Sequence, residues 1–187
     1  MSPLSKIIGL LQIDSTVGDL SGNAERLESL TAIAQANGAQ VAIATELAVC
    51  GYPPRDLLLQ PDFITTSFET AKNLTVEIPV LVGTPIPPEH ERNLPANGVV
   101  RAGVLQAVPN KDNTNRVVAK KQLLPSYDVF DETRYFTPAN RSGICRSIGE
   151  IDLGITICED ALQAAGLTPS AYGQDPVASL AEWGRQG

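Results

Sequence analysis

Hydrophobic and polar positions repeat along this chain with two periods. The run KIIGLLQI (6–13) stays mainly apolar until Asp14, which predicts a buried strand. Leu27, Leu30, Ile33 and Ala34 then recur at helical spacing. Asp19 or Ser21 can cap that helix, which is expected to begin near Gly22 and stop at Asn37-Gly38. VAIAT (41–45) predicts a second strand, and Glu46 follows it. Strand, capped helix and strand form a βαβ pattern, so the two strands are expected to run parallel. Gly51 and Pro53-Pro54 break the chain; residues 56–60 suit one helical turn, and Pro61-Asp62 opens a helix reaching about Asn73. PVLVGTPI (79–86) predicts a third strand and 87–97 a loop. Residues 99–108 and 116–121 read as antiparallel strands joined by a polar turn, and 131–136 as a single helical turn. Residues 144–148 and 151–157 read as a hairpin across Gly149-Glu150. Residues 161–174 read as loop, and Asp175-Pro176 as the cap and first turn of a helix through Trp183. The sum is an α/β domain with a mixed sheet.

Composition narrows the class. A chain of 187 residues with 43% hydrophobic positions supports one domain with a sizeable core; near 150 residues a chain buries roughly 70% of its unfolded surface. The net charge of −7 makes nucleic acid and anionic membrane poor partners. No apolar run approaches the ~20 residues that span a bilayer. The first apolar run carries one Lys, ends at Asp14 and lacks a small-residue cleavage site, so it reads as a strand rather than a signal peptide. Cys50, Cys145 and Cys158 are odd in number and widely spaced, which points to a reducing, cytoplasmic setting without a disulfide framework. The single histidine, His90, lies in a Pro-rich polar loop, so neither a Ser-His-Asp triad nor a Cys-His pair is easily assembled. Cys/His clusters with zinc spacing, phosphate loops and dinucleotide fingerprints are all missing from the sequence, and no metal is expected.

The candidate chemistry centres on IDLGITICEDA (151–161). An apolar run ends at Cys158, with Glu159 and Asp160 next. In open α/β sheets ligands sit beyond the carboxyl ends of strands. Glu46 after VAIAT and Lys121 after RVVAK also follow strand ends, so the three converge if those ends share a side. A free thiol titrates at about 8.5 and is only a few per cent thiolate at neutral pH. Without an imidazole its base must be a carboxylate or a lysine, and Glu46 can take the proton. Lys121 favours the thiolate and can hold an oxyanion, one such donor being worth about 3–4 kcal/mol. The backbone N–H of Glu159 is a second donor. Each residue also has an ordinary reading: Cys158 as an inert core thiol, Glu46 as a solvated loop acid, Lys120-Lys121 as an exposed basic pair, Glu132 as a helix-cap acid, and Tyr127 as a packed aromatic with a bonded hydroxyl.

TELAVCGYPPRDLLLQPDF (45–63), KKQLLPSYDVFDETRYF (120–136) and GITICEDA (154–161) resemble, in order and near spacing, three signature blocks of the nitrilase superfamily. More narrowly they resemble the N-terminal glutaminase domain of glutamine-dependent NAD+ synthetases. The resemblance implies a four-layer α-β-β-α sandwich with mixed sheets, incomplete at its C-terminus. It implies Glu46 as general base, Lys121 as oxyanion lysine and Cys158 as nucleophile. Glu132 would position the lysine and Tyr127 would bind L-glutamine. The implied reaction hydrolyses the glutamine amide through a thioester, and the ammonia passes to a C-terminal synthetase domain. That domain would use ATP and Mg2+ to convert deamido-NAD+ to NAD+; no cofactor is implied for residues 1–187. Family members form homo-oligomers. The chain departs from the family at Thr45, where a proline is usual, and at Cys50, where threonine is common. The family domain is longer, so residues 1–187 are expected to be a partial glutaminase domain with weak or no turnover alone. Two alternatives stay open: a stand-alone amidase or nitrilase for another small amide, and a non-catalytic interaction module with the same fold.

Overall fold

The computed structural model describes residues 6–88, 101–109, 115–140, 143–148, 151–168 and 172–184. His90, most of the expected 87–97 loop, most of the 109–115 turn and Gly149-Glu150 lie outside the described residues.

The chain runs β1 (Ile8–Leu11), α1 (Leu20–Ala36), β2 (Val41–Ala44), α2 (Pro61–Lys72), β3 (Val80–Ile86), β4 (Arg101–Ala107), β5 (Arg116–Lys120), β6 (Gly143–Ile148), β7 (Ile151–Ile155), α3 (Glu159–Leu162) and α4 (Pro176–Gly184). Short 3-10 turns span Arg55–Leu59 and Glu132–Arg134. Local chemistry accounts for most boundaries. The Gly22 N–H donates to Asp19 Oδ1 at 3.0 Å, so Asp19 rather than Ser21 caps α1. Asn37 closes α1, and Gly38 follows at φ 87°, in the left-handed region. Pro61 opens α2 at its first position, and Asp175 Oδ1 accepts from Ala178 N–H at 3.0 Å to start α4. The expected loop at 161–174 begins inside α3: the Ala161 N–H reaches the Cys158 carbonyl at 2.9 Å, which winds the chain directly after the strand.

Five strands form one sheet in the order β1-β2-β3-β4-β5. β1, β2 and β3 are parallel, and β4 is antiparallel to both β3 and β5, so β5 runs in the direction of β2. β6 and β7 pair antiparallel as a second sheet. One face of the large sheet packs Leu11, Ala42, Val80, Val82 and Leu105 against Leu27, Phe68 and Ala71 of α1 and α2. The other face sets Val41 and Leu81 against Ile148, with Leu153 and Ile155 alongside. Behind β7, Gly154 lies against Leu180 of α4. The layers are therefore α-β-β-α, the expected sandwich. Each fully buried Val, Leu or Ile contributes about 1.5–3 kcal/mol to holding those layers together. β3 is buried along all seven residues, as a central strand covered on both faces should be.

Candidate active site

The shared direction of β2 and β5 decides where the polar residues go. Glu46, two residues beyond β2, and Lys121, the first residue beyond β5, leave the sheet at the same end. The turn carrying Glu46 crosses tightly over Gly83 of β3. A Cβ at Gly83 would lie 2.4 Å from the Leu47 nitrogen and 2.6 Å from the Thr45 carbonyl oxygen, so only glycine admits the crossing.

Lys121 is anchored by its backbone, donating its N–H to the Ala102 carbonyl at 2.9 Å and accepting from Ala139 N–H at 2.9 Å. Its side chain is wholly buried. The ammonium lies 2.8 Å from Glu46 Oε1 and 2.6 Å from Glu132 Oε2. The Tyr52 hydroxyl donates to Glu132 Oε1 at 2.9 Å. Lys121 is thus not an exposed basic residue, and Glu132, 5% exposed, is not a solvated cap.

The charges shape one another. Burial works to lower the Lys121 pKa, but Glu46 and then Glu132 outweigh it and hold the ammonium above its ordinary value. Burial raises the Glu46 carboxyl; Lys121 opposes the rise and Glu132 adds to it, and the net direction is up. A carboxyl lifted towards neutrality is better matched to proton transfer than an ordinary one.

Cys158 lies three residues beyond β7 at the head of α3. Its φ of 47° is in the left-handed region, which costs a non-glycine residue roughly 1–3 kcal/mol and is held only where surrounding structure enforces it. The residue is exposed, not an enclosed core thiol. Neighbouring atoms still displace part of the sulfur's water and push the thiol pKa up. Glu46 pushes the same way, while Lys121 and the Glu159 N–H pull towards the thiolate. The sulfur therefore shares one electrostatic centre with Glu46, Lys121 and Glu132. Because β7 belongs to the second sheet, Cys158 faces this charge cluster from a different sheet than Glu46 and Lys121.

Glu159 and Tyr127 also come together. The Tyr127 hydroxyl donates to Glu159 Oε2 at 2.8 Å, and its ring meets Phe130 edge-on at 5.6 Å. Tyr127 is thus both packed and bonded. Tyr172 completes the clamp, donating to Glu159 Oε1 at 3.0 Å; burial first and that bond second push its phenol up to about 12. Sequence reasoning missed three residues here. Tyr172 sits in a stretch with no signature. Tyr52 sits in the GYPP part of a family-like block, with no role assigned to it. Asp160 reads only as the second acid after Cys158, yet it is buried and accepts three backbone N–H groups. Beside Glu132 lies a cavity of about 310 Å³, lined in part by Tyr52, Pro54, Asp131 and Tyr135. Among the described residues, no group of three or more His, Cys, Asp or Glu side chains could hold a metal, and no helix is long and apolar enough to cross a membrane.

No family model matches the chain. Over 157 residues it is 38% identical to the glutamine-dependent NAD(+) synthetase of Synechocystis sp., a match covering 82% of this chain and 27% of that protein. The chain is homologous to part of the glutamine-dependent NAD+ synthetases. Its fold overlays that of the glutamine-dependent NAD+ synthetase of Acinetobacter baumannii with a TM-score of 0.67 and 25% identity, over 84% of this chain and 28% of that one. An amidase from Nesterenkonia sp. shares the fold at a TM-score of 0.62 and 19% identity, over 86% of this chain and 57% of that one. The chain spans about a quarter of the length of the curated synthetases it matches.

Proposed function

We propose that residues 1–187 are part of a glutaminase domain that supplies ammonia for the conversion of deamido-NAD+ to NAD+. The observation that carries this reading is the buried Lys121 ammonium, 2.8 Å from Glu46 and 2.6 Å from Glu132, within electrostatic reach of an exposed Cys158. Glu132 is held by Lys121 and Tyr52, which leaves Glu46 as the acid that exchanges protons.

In the proposed reaction the Glu46 carboxylate takes the Cys158 S–H proton as sulfur bonds to the glutamine side-chain amide carbon. The carbonyl electron pair moves to oxygen, where the Lys121 ammonium and the Glu159 N–H receive it. Glu46 returns the proton to nitrogen, the C–N bond breaks, and ammonia leaves a thioester. A water then gives a proton to Glu46 and adds to the thioester. Sulfur departs, recovers that proton, and glutamate is released. Tyr127, steadied by Glu159, contacts the substrate. ATP and Mg2+ act only in the partner synthetase domain that receives the ammonia. This reading carries with it a cytoplasmic location and a homo-oligomeric full-length protein.

The test is protection. L-glutamine should slow alkylation of Cys158, and L-asparagine and simple aliphatic amides should not. Equal protection by an aliphatic amide would replace this reading with a stand-alone amidase; no protection by any amide would favour the non-catalytic module.

A further inference from the structure

We propose that Asp160 is a positioning residue that sets the Lys121 strand end against the Cys158 turn. The inference rests on the glutaminase reading above. β5 ends at Lys120 and β7 at Ile155, with the Lys121 N–H still bonded to Ala102 of β4, so the N–H groups of Gln122, Leu123 and Ile157 lie beyond the strands. One carboxylate collects three of them. Asp160 Oδ1 accepts from Gln122 N–H at 3.1 Å and Leu123 N–H at 2.8 Å, and Oδ2 accepts from Ile157 N–H at 3.3 Å. Gln122 and Leu123 follow Lys121 directly, and Ile157 immediately precedes Cys158. The two oxygens therefore tie the lysine segment to the nucleophile segment across 37 and 38 residues of chain, with the tie only 2% exposed.

The price of this tie is a buried acid. Burial pushes the Asp160 carboxyl up, and the N–H groups of Leu123, Gln122 and Ile157 push back. A residue needed only to satisfy stray donors does not have to bridge two sheets, whereas a spacer between an oxyanion donor and a nucleophile does. Displacing a reacting group by about 1 Å can cost on the order of 100-fold in rate, so the span is worth fixing.

Asp160→Asn separates the two ends of the tie. Its oxygen can still serve Gln122 and Leu123, while its NH2 meets the Ile157 N–H donor to donor. Two probes read the outcome on the whole chain: a diazoketone analogue of glutamine, followed by mass spectrometry for inactivation rate and half-saturation, and iodoacetamide for the pH midpoint of the Cys158 thiol. The expected result is a slower inactivation step, by ~10- to 100-fold, with half-saturation unchanged and with folding intact by circular dichroism. The thiol midpoint should rise, because Lys121 loses its grip on the thiolate. Loss of a negative charge alone would move that midpoint down, so a fall overturns the proposal. Asp160→Glu, which keeps both acceptors, should recover part of the rate. An unchanged rate in Asp160→Asn, or a loss matching only the unfolded fraction, also overturns it. These failures leave wild-type Cys158 selectively labelled and the glutaminase reading standing. If wild-type Cys158 is labelled no faster than Cys50, that reading fails, and the positioning role with it.

Discussion

Cys50 and Cys158 sit in regions of this molecule built in opposite ways. Cys50 is fully buried in an apolar cluster with Leu47, Leu58, Ile64, Ala102, Leu124 and Phe136. Its sulfur donates to carbonyls, Leu47 at 3.7 Å and Gly51 at 3.6 Å, and burial pushes the thiol up to about 12. Such a thiol is packing material. Cys158 is exposed, strained in its backbone, and in the electrostatic field of two acids and a lysine. Its pKa is also raised, so neither thiol is an ionised sulfur waiting at neutral pH. What separates them is their surroundings: Cys158 lies in the field of a carboxylate and an ammonium, the proposed base and oxyanion donor, and Cys50 has hydrocarbon. The charged region carries a folding cost, since Lys121, Glu46 and Glu132 must all be desolvated to build it.

The largest way to break the contrast is Lys121→Met. Removing one member of a buried ion cluster leaves Glu46 and Glu132 unpaired and should cost about 3–5 kcal/mol in urea unfolding. Inactivation by the diazoketone analogue should also fall ~10²- to 10³-fold, since an oxyanion donor is gone. A stable, normally labelled variant would mean the ion cluster is incidental to the thiol.

A smaller effect sharpens the comparison. Glu46→Gln removes the base but also removes a charge that holds the Cys158 thiol up. Two changes follow: a loss of proton transfer and an easier ionisation of the thiol. Diazoketone inactivation at neutral pH should fall about 100-fold, and its acid limb should vanish. In the wild type that limb rises as pH climbs through a Glu46 carboxyl that burial holds above the usual carboxylate range. The iodoacetamide midpoint should move down, because the thiolate now faces Lys121 with less opposing charge. An unchanged diazoketone rate, or a midpoint that rises, would separate the thiol from Glu46 as base.

Much of the fold was legible because its signals are local. The Asp19 cap, the Pro61 start, the Asp175 cap and the βαβ order all depend on neighbours within a few residues. Glu46, Lys121 and Cys158 were legible as strand-end residues and as parts of three family-like blocks. Lys121's burial was not, since a Lys-Lys pair after a strand reads as solvated until two distant carboxylates are known to meet it. The partners of Asp160 and Tyr52 were hidden for the same reason: they lie 37 and 38 residues away for Asp160 and 80 for Tyr52. The division into two sheets came from the family resemblance and not from the residues, because strand patterns report periodicity and not which strand pairs with which. The winding of 159–162 into α3 escaped because the turn is only four residues long.

The central claim is that an acid and an amine, and no imidazole, make one thiol of this chain reactive. Its most direct test is the rate at which the diazoketone glutamine analogue modifies each cysteine, followed peptide by peptide at neutral pH. The account predicts that Cys158 reacts at least ~100-fold faster than Cys50, the advantage expected of a positioned general base. Equal rates at the two positions would contradict it.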